Sequence, residues 1–313
     1  MTTPAVEVTD LTRRYGDRRA LDGLTFSVRP GEIFGFLGPN GGGKSTLFRI
    51  LTTLLPPTSG TARILGHDVV REPHAVRSRL GVVFQHASID AKLTVEENLR
   101  HHGRLYGMHG PALAAGIARL LERFGLADRR RELVERLSGG LARRVELAKG
   151  LLPGPDVLLL DEPSTGLDPG ARRDLMAYLR RLRDEDGVTV VVTTHYLEEA
   201  ERCDRVAVID RGRLVALDTP AALTASVGGD VVVVVATDVV ELQAKVRERF
   251  GLEAARVDGT LRLEHARGHE LVRDLVNAFP DEVHTITFGK PTLEDVFVRL
   301  TGRRLFAEDA EAA

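Results

Sequence analysis

A glycine-rich segment with a lysine limits what this chain of 313 residues can fold into more than any other feature. The segment Gly38-Pro-Asn-Gly-Gly-Gly-Lys-Ser45 follows the apolar run 33–37 and opens the amphipathic run 44–55. A strand, this loop and a helix in that order form a phosphate-binding loop, because glycines let successive N–H groups curl around phosphate oxygens. The segment therefore predicts an α/β protein with a nucleotide site.

The side chains of this segment have separate predicted roles. Lys44 would bring a positive charge to the β and γ phosphates, and the Ser45 hydroxyl would bind Mg²⁺. The residues expected to hold the nucleotide here are Gly38, Asn40, Gly41, Gly42, Gly43, Lys44, Ser45 and Thr46.

Polar side chains follow three further apolar runs. Asp161 and Glu162 end the run 157–161, and we expect Asp161 to hold Mg²⁺ and Glu162 to orient or deprotonate an attacking water. His195 and Gln85 likewise follow strand-like runs, at the edge where open α/β sheets bind ligands. A histidine such as His195, taken alone, is more often an ordinary loop histidine, and Gln85 either bridges Mg²⁺ and water or caps a turn.

A second glycine segment, Leu137-Ser-Gly-Gly140, precedes a helical run without a lysine. The N–H groups of Ser138, Gly139 and Gly140 and the helix dipole favour a phosphate there. Because no lysine follows, the segment cannot hold a nucleotide independently.

The alternation of strands and helices predicts two domains. Residues 1–227 carry a parallel sheet with a mostly helical segment at 86–151, in which Thr94 and Glu97 form a capping box. After Gly228-Gly229, residues 228–313 read as β-α-β-β-α-β, a ferredoxin-like unit, followed by a helix that Thr292 caps and a frayed tail at 307–313.

Composition excludes several classes of function. The net charge of −2 argues against nucleic acid as a partner, and the single cysteine, Cys203, fits a reducing cytosol without an intrachain disulfide. No run approaches about 18 apolar residues, and the N-terminus lacks a signal-peptide pattern, so we expect no membrane-spanning segment.

The segments GPNGGGKST, LSGG, LLLDEP, STGLD and TTH, together with Gln85, occur in the order and spacing of an ATP-binding cassette (ABC) ATPase. The chain resembles that family over about residues 5–225. The resemblance implies a cassette with a parallel core sheet, an antiparallel β subdomain and a helical subdomain, which uses ATP and Mg²⁺. It also implies that Tyr15 stacks on adenine and that Asp168 lies in the loop joining the two sites of a dimer. His195 would contact the γ-phosphate, and Gln85 would sense the nucleotide. In that family LSGG serves the nucleotide of the facing subunit, so we expect a dimer, either of two copies or with a paralogous chain.

The segment 289–303 and the small domain before it resemble the ATPase subunits of bacterial drug and polyketide-antibiotic exporters. This resemblance implies a separate ABC-2 type membrane subunit, a peripheral position on the cytoplasmic face of the membrane, and a hydrophobic drug or antibiotic-like cargo. The alternatives are an exporter of lipid, polysaccharide or sodium, and a soluble ABC ATPase without a membrane partner. The small domain either regulates or stabilises the dimer or is a structural appendage. Gly42 and Leu141 depart from the family's usual alanine and glutamine.

Overall fold

A computed structural model of the chain describes residues 3–305, which divide into two compact units. The first unit ends at Leu214 and the second begins at Val215, whereas the sequence predicts a boundary between residues 227 and 228. Residues 215–227 group with the second unit because their helix, Pro220–Ala225, packs on the helix Leu293–Thr301. Among the described residues, none of the helices has the length and apolar character that crossing a bilayer requires.

The strands are β1 Val6–Tyr15, β2 Arg18–Val28, β3 Ile33–Leu37, β4 Ser59–Ile64, β5 His67–Asp68, β6 Leu80–Val83, β7 Val157–Asp161, β8 Thr189–Thr194, β9 Arg205–Asp210, β10 Arg213–Asp218, β11 Asp230–Ala236, β12 Ala254–Val257, β13 Thr260–His265 and β14 Val283–Gly289. The helices are α1 Lys44–Leu51, α2 Pro73–Ser78, α3 Val95–Leu105, α4 Gly110–Arg123, α5 Gly139–Leu151, α6 Pro169–Asp186, α7 Leu197–Ala200, α8 Pro220–Ala225, α9 Val239–Phe250, α10 Gly268–Ala278 and α11 Leu293–Thr301.

The central sheet has the strand order β10-β9-β3-β8-β7-β6. β3 pairs in parallel with β8 and β9, and β7 pairs in parallel with β6 and β8. Every residue of β3, β7 and β8 is buried, as expected for parallel strands that are covered on both faces. The predicted α/β class is confirmed, and the carboxyl ends of these strands meet at one edge, where such sheets bind ligands.

The two other predicted parts of the cassette are present. β1 and β2 pair antiparallel in a sheet of order β2-β1-β4-β5. The segment 86–151 contains α3, α4 and α5, and α3 begins with a capping box in which Thr94 and Glu97 satisfy each other's backbone N–H.

Three helix ends differ by three residues or more from those that the helical runs 44–55, 145–152 and 196–203 predict. α1 ends at Leu51 rather than Leu55, because the chain turns at Thr53, whose φ is +63°. α5 begins at Gly139 rather than Val145, because Ser138 caps it by accepting the Leu141 N–H. α7 ends at Ala200 rather than Cys203, because the N–H groups of Arg202 and Cys203 bond three residues back and the chain then turns toward β3.

The second unit has the predicted order β-α-β-β-α-β, with an antiparallel sheet of order β12-β13-β11-β14. Its core is separate and includes Val232, Leu242, Leu261 and Leu275. Thr292 caps α11 in a capping box with Asp295, as predicted. The tail 307–313 lies outside the described residues.

Candidate functional site

The phosphate loop joins β3 to α1 and packs tightly against neighbouring backbone. A Cβ added at Gly38 would lie 2.3 Å from the Ile209 carbonyl oxygen. Gly43 has a φ of +110°, and a Cβ there would lie 2.7 Å from the Ala20 carbonyl oxygen. Only glycine fits at these two positions, because the close approach excludes a side chain at both and the left-handed backbone also disfavours one at Gly43.

Gly42, where the family usually has alanine, is less restricted. A Cβ there would lie 3.0 Å from the Pro39 carbonyl oxygen, and its φ is not in the left-handed region. The departure from the family pattern therefore gives this turn slightly more room.

Lys44 begins α1 and extends its side chain back into the curl of the loop. Its Nζ donates to the carbonyl oxygens of Gly38, at 2.7 Å, and Pro39, at 3.1 Å, and lies 3.4 Å from Glu162 Oε1. Burial lowers the pKa of Lys44, and the neighbouring Glu162 carboxylate partly offsets that effect. Anionic oxygens at this position would stabilise the charged ammonium in the same way.

Asp161 and Glu162, at the end of β7, are both held by Thr193 of β8. The Thr193 hydroxyl donates to Asp161 Oδ1 at 2.5 Å, and the Glu162 N–H donates to the Thr193 carbonyl and hydroxyl oxygens. Burial raises the pKa of Asp161. Adjacent parallel strands thus place the two carboxylates at the same edge of the sheet.

The Glu162 carboxylate lies among three predicted site residues. Gln85 Nε2 donates to its Oε2 at 3.2 Å, His195 Nδ1 lies 3.2 Å from the same oxygen, and Lys44 lies beside the other oxygen. His195, and then Lys44, lower the pKa of Glu162 against the opposing effect of burial. The carboxylate is therefore ionised at neutral pH, as a proton acceptor has to be.

These residues face a cleft of about 430 Å³ above the phosphate loop. Among the described residues, its lining contains nine predicted site residues: Asn40, Gly41, Gly43, Lys44, Ser45, Thr46, Gln85, Glu162 and His195. The lining also contains four residues for which the sequence predicts no role: Arg18, Ala20, Pro39 and Thr165. Thr165 lies within the STGLD segment, whereas Arg18 had no sequence signal, because only the β1–β2 pairing brings it to the loop.

Tyr15 flanks the cleft without lining it. It pairs with Arg18 across the β1–β2 turn, and the residue is 43% exposed. The guanidinium of Arg13 lies over its ring, with Cζ 4.9 Å from the ring centroid. An exposed ring at this position is compatible with stacking, and the adenine contact stays a prediction.

The LSGG segment lies outside the lining of the cleft formed by its own chain. Ser138 is the N-cap of α5, and an added Cβ at Gly139 or Gly140 would meet no atom within 4 Å. Asp168 is likewise outside that lining, and its carboxylate caps α6 by accepting the Ala171 N–H at 2.9 Å. The start of α5 is therefore an open helix N-terminus that lies outside the nucleotide cleft of its own chain.

A family model described as ABC transporter matches residues 21–165, and a second, described as AAA domain, putative AbiEii toxin, Type IV TA system, matches residues 141–199. The chain is 43% identical to the daunorubicin resistance ATP-binding protein DrrA3 of Streptomyces coeruleorubidus, over 96% of this chain and 97% of that protein. It is 40% identical to the Nod factor export ATP-binding protein I of Paraburkholderia xenovorans, over 97% of this chain and 99% of that protein.

Solved structures give the same result for the fold. The structure of cbiO1 from Clostridium perfringens, part of an ABC transporter complex, matches with a TM-score of 0.66 and 28% identity, over 80% of this chain and 96% of that one. A dimeric structure of the ATP-binding cassette MJ0796 bound to ADP and Pi matches with a TM-score of 0.62 and 28% identity, over 68% of this chain and 98% of that one.

Proposed function

We propose that this chain, which belongs to the ATP-binding cassette (ABC) transporter family, hydrolyses ATP to drive export through a separate membrane protein. As a member of that family the chain is an ATP-binding ATPase. The observation that carries the proposed mechanism is the position of the Glu162 carboxylate between Lys44, Gln85 and His195 at the rim of the phosphate loop.

The proposed hydrolysis follows from these contacts. The loop N–H groups and Lys44 bind the β and γ phosphates of ATP, and Glu162 accepts a proton from a water that attacks the γ phosphorus. The new P–O bond forms as the bond to the β–γ bridging oxygen breaks, and ADP and phosphate leave. Gln85 and His195 orient the Glu162 carboxylate, which keeps its free oxygen positions directed at the water.

The residues at the site fit a magnesium ion. Ser45 and Gln85 line the cleft, and Asp161 is a buried carboxyl whose pKa is raised, so that a nearby cation would stabilise its ionised form. The described residues contain no group of three or more His, Cys, Asp or Glu that could hold a metal, so the phosphates themselves would supply ligands. When bound, the ion would neutralise phosphate charge.

The proposed active unit is a dimer of cassettes. The N-terminus of α5 is open and presents the N–H groups of Ser138, Gly139 and Gly140. These residues do not line the nucleotide cleft of their own chain. Such a helix end favours phosphate. We propose that it binds the γ-phosphate held by Lys44 of a second copy, and that Asp168 lies between the two sites.

The proposed partner is an ABC-2 type membrane subunit on whose cytoplasmic face the cassettes sit. The proposed cargo is a hydrophobic drug or antibiotic-like compound, because a relative named for daunorubicin resistance is similar over nearly the whole chain. A relative named for Nod factor export is similar over the same length, so cargo needs a direct test.

The test first seeks a membrane protein encoded next to this chain, then coexpresses the two in a drug-sensitive bacterium and measures accumulation of daunorubicin. We expect lower accumulation with the wild type and no reduction with Glu162→Gln. A chain that hydrolyses ATP but never copurifies with the membrane protein would favour a soluble ATPase. Copurification without daunorubicin export would overturn only the proposed cargo.

A further inference from the structure

One face of α5 carries three charged residues, Arg143, Glu146 and Lys149, which are spaced three apart. The Arg143 side chain is 11% exposed and that of Glu146 is 3% exposed. Arg143 Nη1 donates to Glu146 Oε2 at 2.8 Å, so that the two form a buried ion pair.

The guanidinium of Arg143 also holds the backbone beside two predicted site residues. Its Nε donates to the carbonyl oxygen of Pro163 at 2.5 Å, and its Nη1 donates to that of Phe84 at 2.9 Å. Pro163 directly follows Glu162, and Phe84 directly precedes Gln85. One side chain therefore joins the two segments that carry the base and the amide bonded to it.

Glu146 and Lys149 hold the far end of the Gln85 segment. Glu146 Oε1 accepts from the N–H and the hydroxyl of Ser88. Lys149 Nζ donates to the carbonyl oxygen and the hydroxyl of Ser88, both at 2.6 Å. Residues 84–88 are thus bound to α5 at both ends.

A buried ion pair is a weak means of gaining stability, because removing two charges from water offsets most of their attraction. Burial lowers the pKa of Arg143, and Glu146 only partly compensates. Apolar side chains of similar size could fill this space at little loss of stability. They could not donate to the carbonyls of Pro163 and Phe84.

We infer that Arg143 is a positioning residue for ATP hydrolysis, which sets the backbone of Glu162 and Gln85 from α5. This inference rests on the hydrolytic roles proposed for those two residues. Because α5 begins at Gly139, the helix that would receive the partner's phosphate also holds the base of its own chain. A rigid shift of α5 would therefore displace the segments of Glu162 and Gln85 together, because the Arg143 guanidinium is bonded to both.

The experiment compares Arg143→Met, Arg143→Lys and the double variant Arg143→Met/Glu146→Met with wild type and with Arg119→Met, which removes an exposed arginine of α4. It measures melting temperature, kcat and KM for ATP. Arg143→Met alone leaves Glu146 buried without its partner and should melt at a lower temperature. The double variant should regain stability, yet its kcat should stay about 100-fold below wild type, with KM unchanged. Arg119→Met should match wild type in all three.

Arg143→Lys keeps the charge, but an ammonium lacks the fork that reaches Pro163, Phe84 and Glu146 together. We expect it to fold with a reduced kcat and an unchanged KM. Wild-type kcat in Arg143→Lys, or in a stable double variant, would overturn the inference. Full ATPase activity in Glu162→Gln would instead refute the proposed base, which separates the two failures.

Discussion

Glu162 has a backbone conformation that a residue with a side chain seldom adopts, with a φ of +43° at the end of β7. This turn directs the carboxylate toward Lys44, Gln85 and His195 instead of continuing the strand. Left-handed backbone costs an L-residue about 1–2 kcal/mol, and such residues occur often at functional sites. The sequence predicts the chemistry of Glu162 but not this strain, which depends on bonds to Thr193.

The strain can be measured by comparing Glu162→Ala with Glu162→Gly, since both lose the carboxylate. Glycine adopts a positive φ freely, so we expect Glu162→Gly to have the larger free energy of unfolding, by up to about 1 kcal/mol in urea. The control is Arg173, an exposed residue inside α6, where alanine should be more stable than glycine. Equal stability of the two Glu162 variants would contradict a strained backbone.

At the scale of elements, the helices predicted from the sequence differ from those of the structure mainly at their ends. α1 and α7 end early where the chain turns, at Thr53 and after Ala200, although the apolar periodicity continues. The start of α3 was predictable, because Thr94 and Glu97 lie three positions apart and hydrogen-bond to each other. Local bonds can be read from a sequence, whereas a bond to a distant strand cannot.

The capping box of α3 gives a pH-dependent prediction. The Thr94 N–H, and then its hydroxyl, lower the pKa of Glu97 below its ordinary value of 4.5. Glu97 therefore contributes stability above that pH, and the contribution is lost as pH falls through the lowered value. We expect the difference in free energy of unfolding between wild type and Glu97→Gln to be largest at pH 7 and to shrink below pH 4.5.

Thr94, the other residue of the capping box, gives a prediction of its own. Thr94→Ala should lower the free energy of unfolding by about 1 kcal/mol at pH 7, while Thr94→Ser, which keeps the acceptor, should change it little. Denaturant unfolding at several pH values measures both effects. A difference for Glu97→Gln that does not change with pH would show that its ionised form makes no contribution.

At the scale of the whole molecule, the proposed dimer predicts complementation between two inactive variants. Lys44→Ala damages the phosphate loop, and Gly139→Asp places a negative charge where the partner's phosphate would bind. In a mixed dimer, one composite site combines the intact phosphate loop of one chain with the intact α5 terminus of the other. We expect the mixture to recover up to about one quarter of wild-type ATPase activity.

Each variant alone should have little activity. Gly139→Asp should remain folded, because a Cβ added at Gly139 meets no atom within 4 Å. Size-exclusion chromatography of Glu162→Gln should show a dimer with MgATP and a monomer without it. An inactive mixture together with a strict monomer under MgATP would refute the shared site.

The sequence by itself determined the α/β class and the β-α-β-β-α-β order of the second unit, and it predicted which residues would carry the chemistry. Glycine spacing, strand periodicity and helix caps are local, so each is visible in a short stretch of chain. Only the tertiary structure decided that Gln85 and His195 meet at one oxygen of Glu162. It also decided that Arg18 lines the cleft and that Arg143 joins two distant segments. It also decided that LSGG lies outside the cleft of its own chain. Gln85 and Glu162 are 77 positions apart, and a contact over that distance depends on which strands neighbour each other in the sheet.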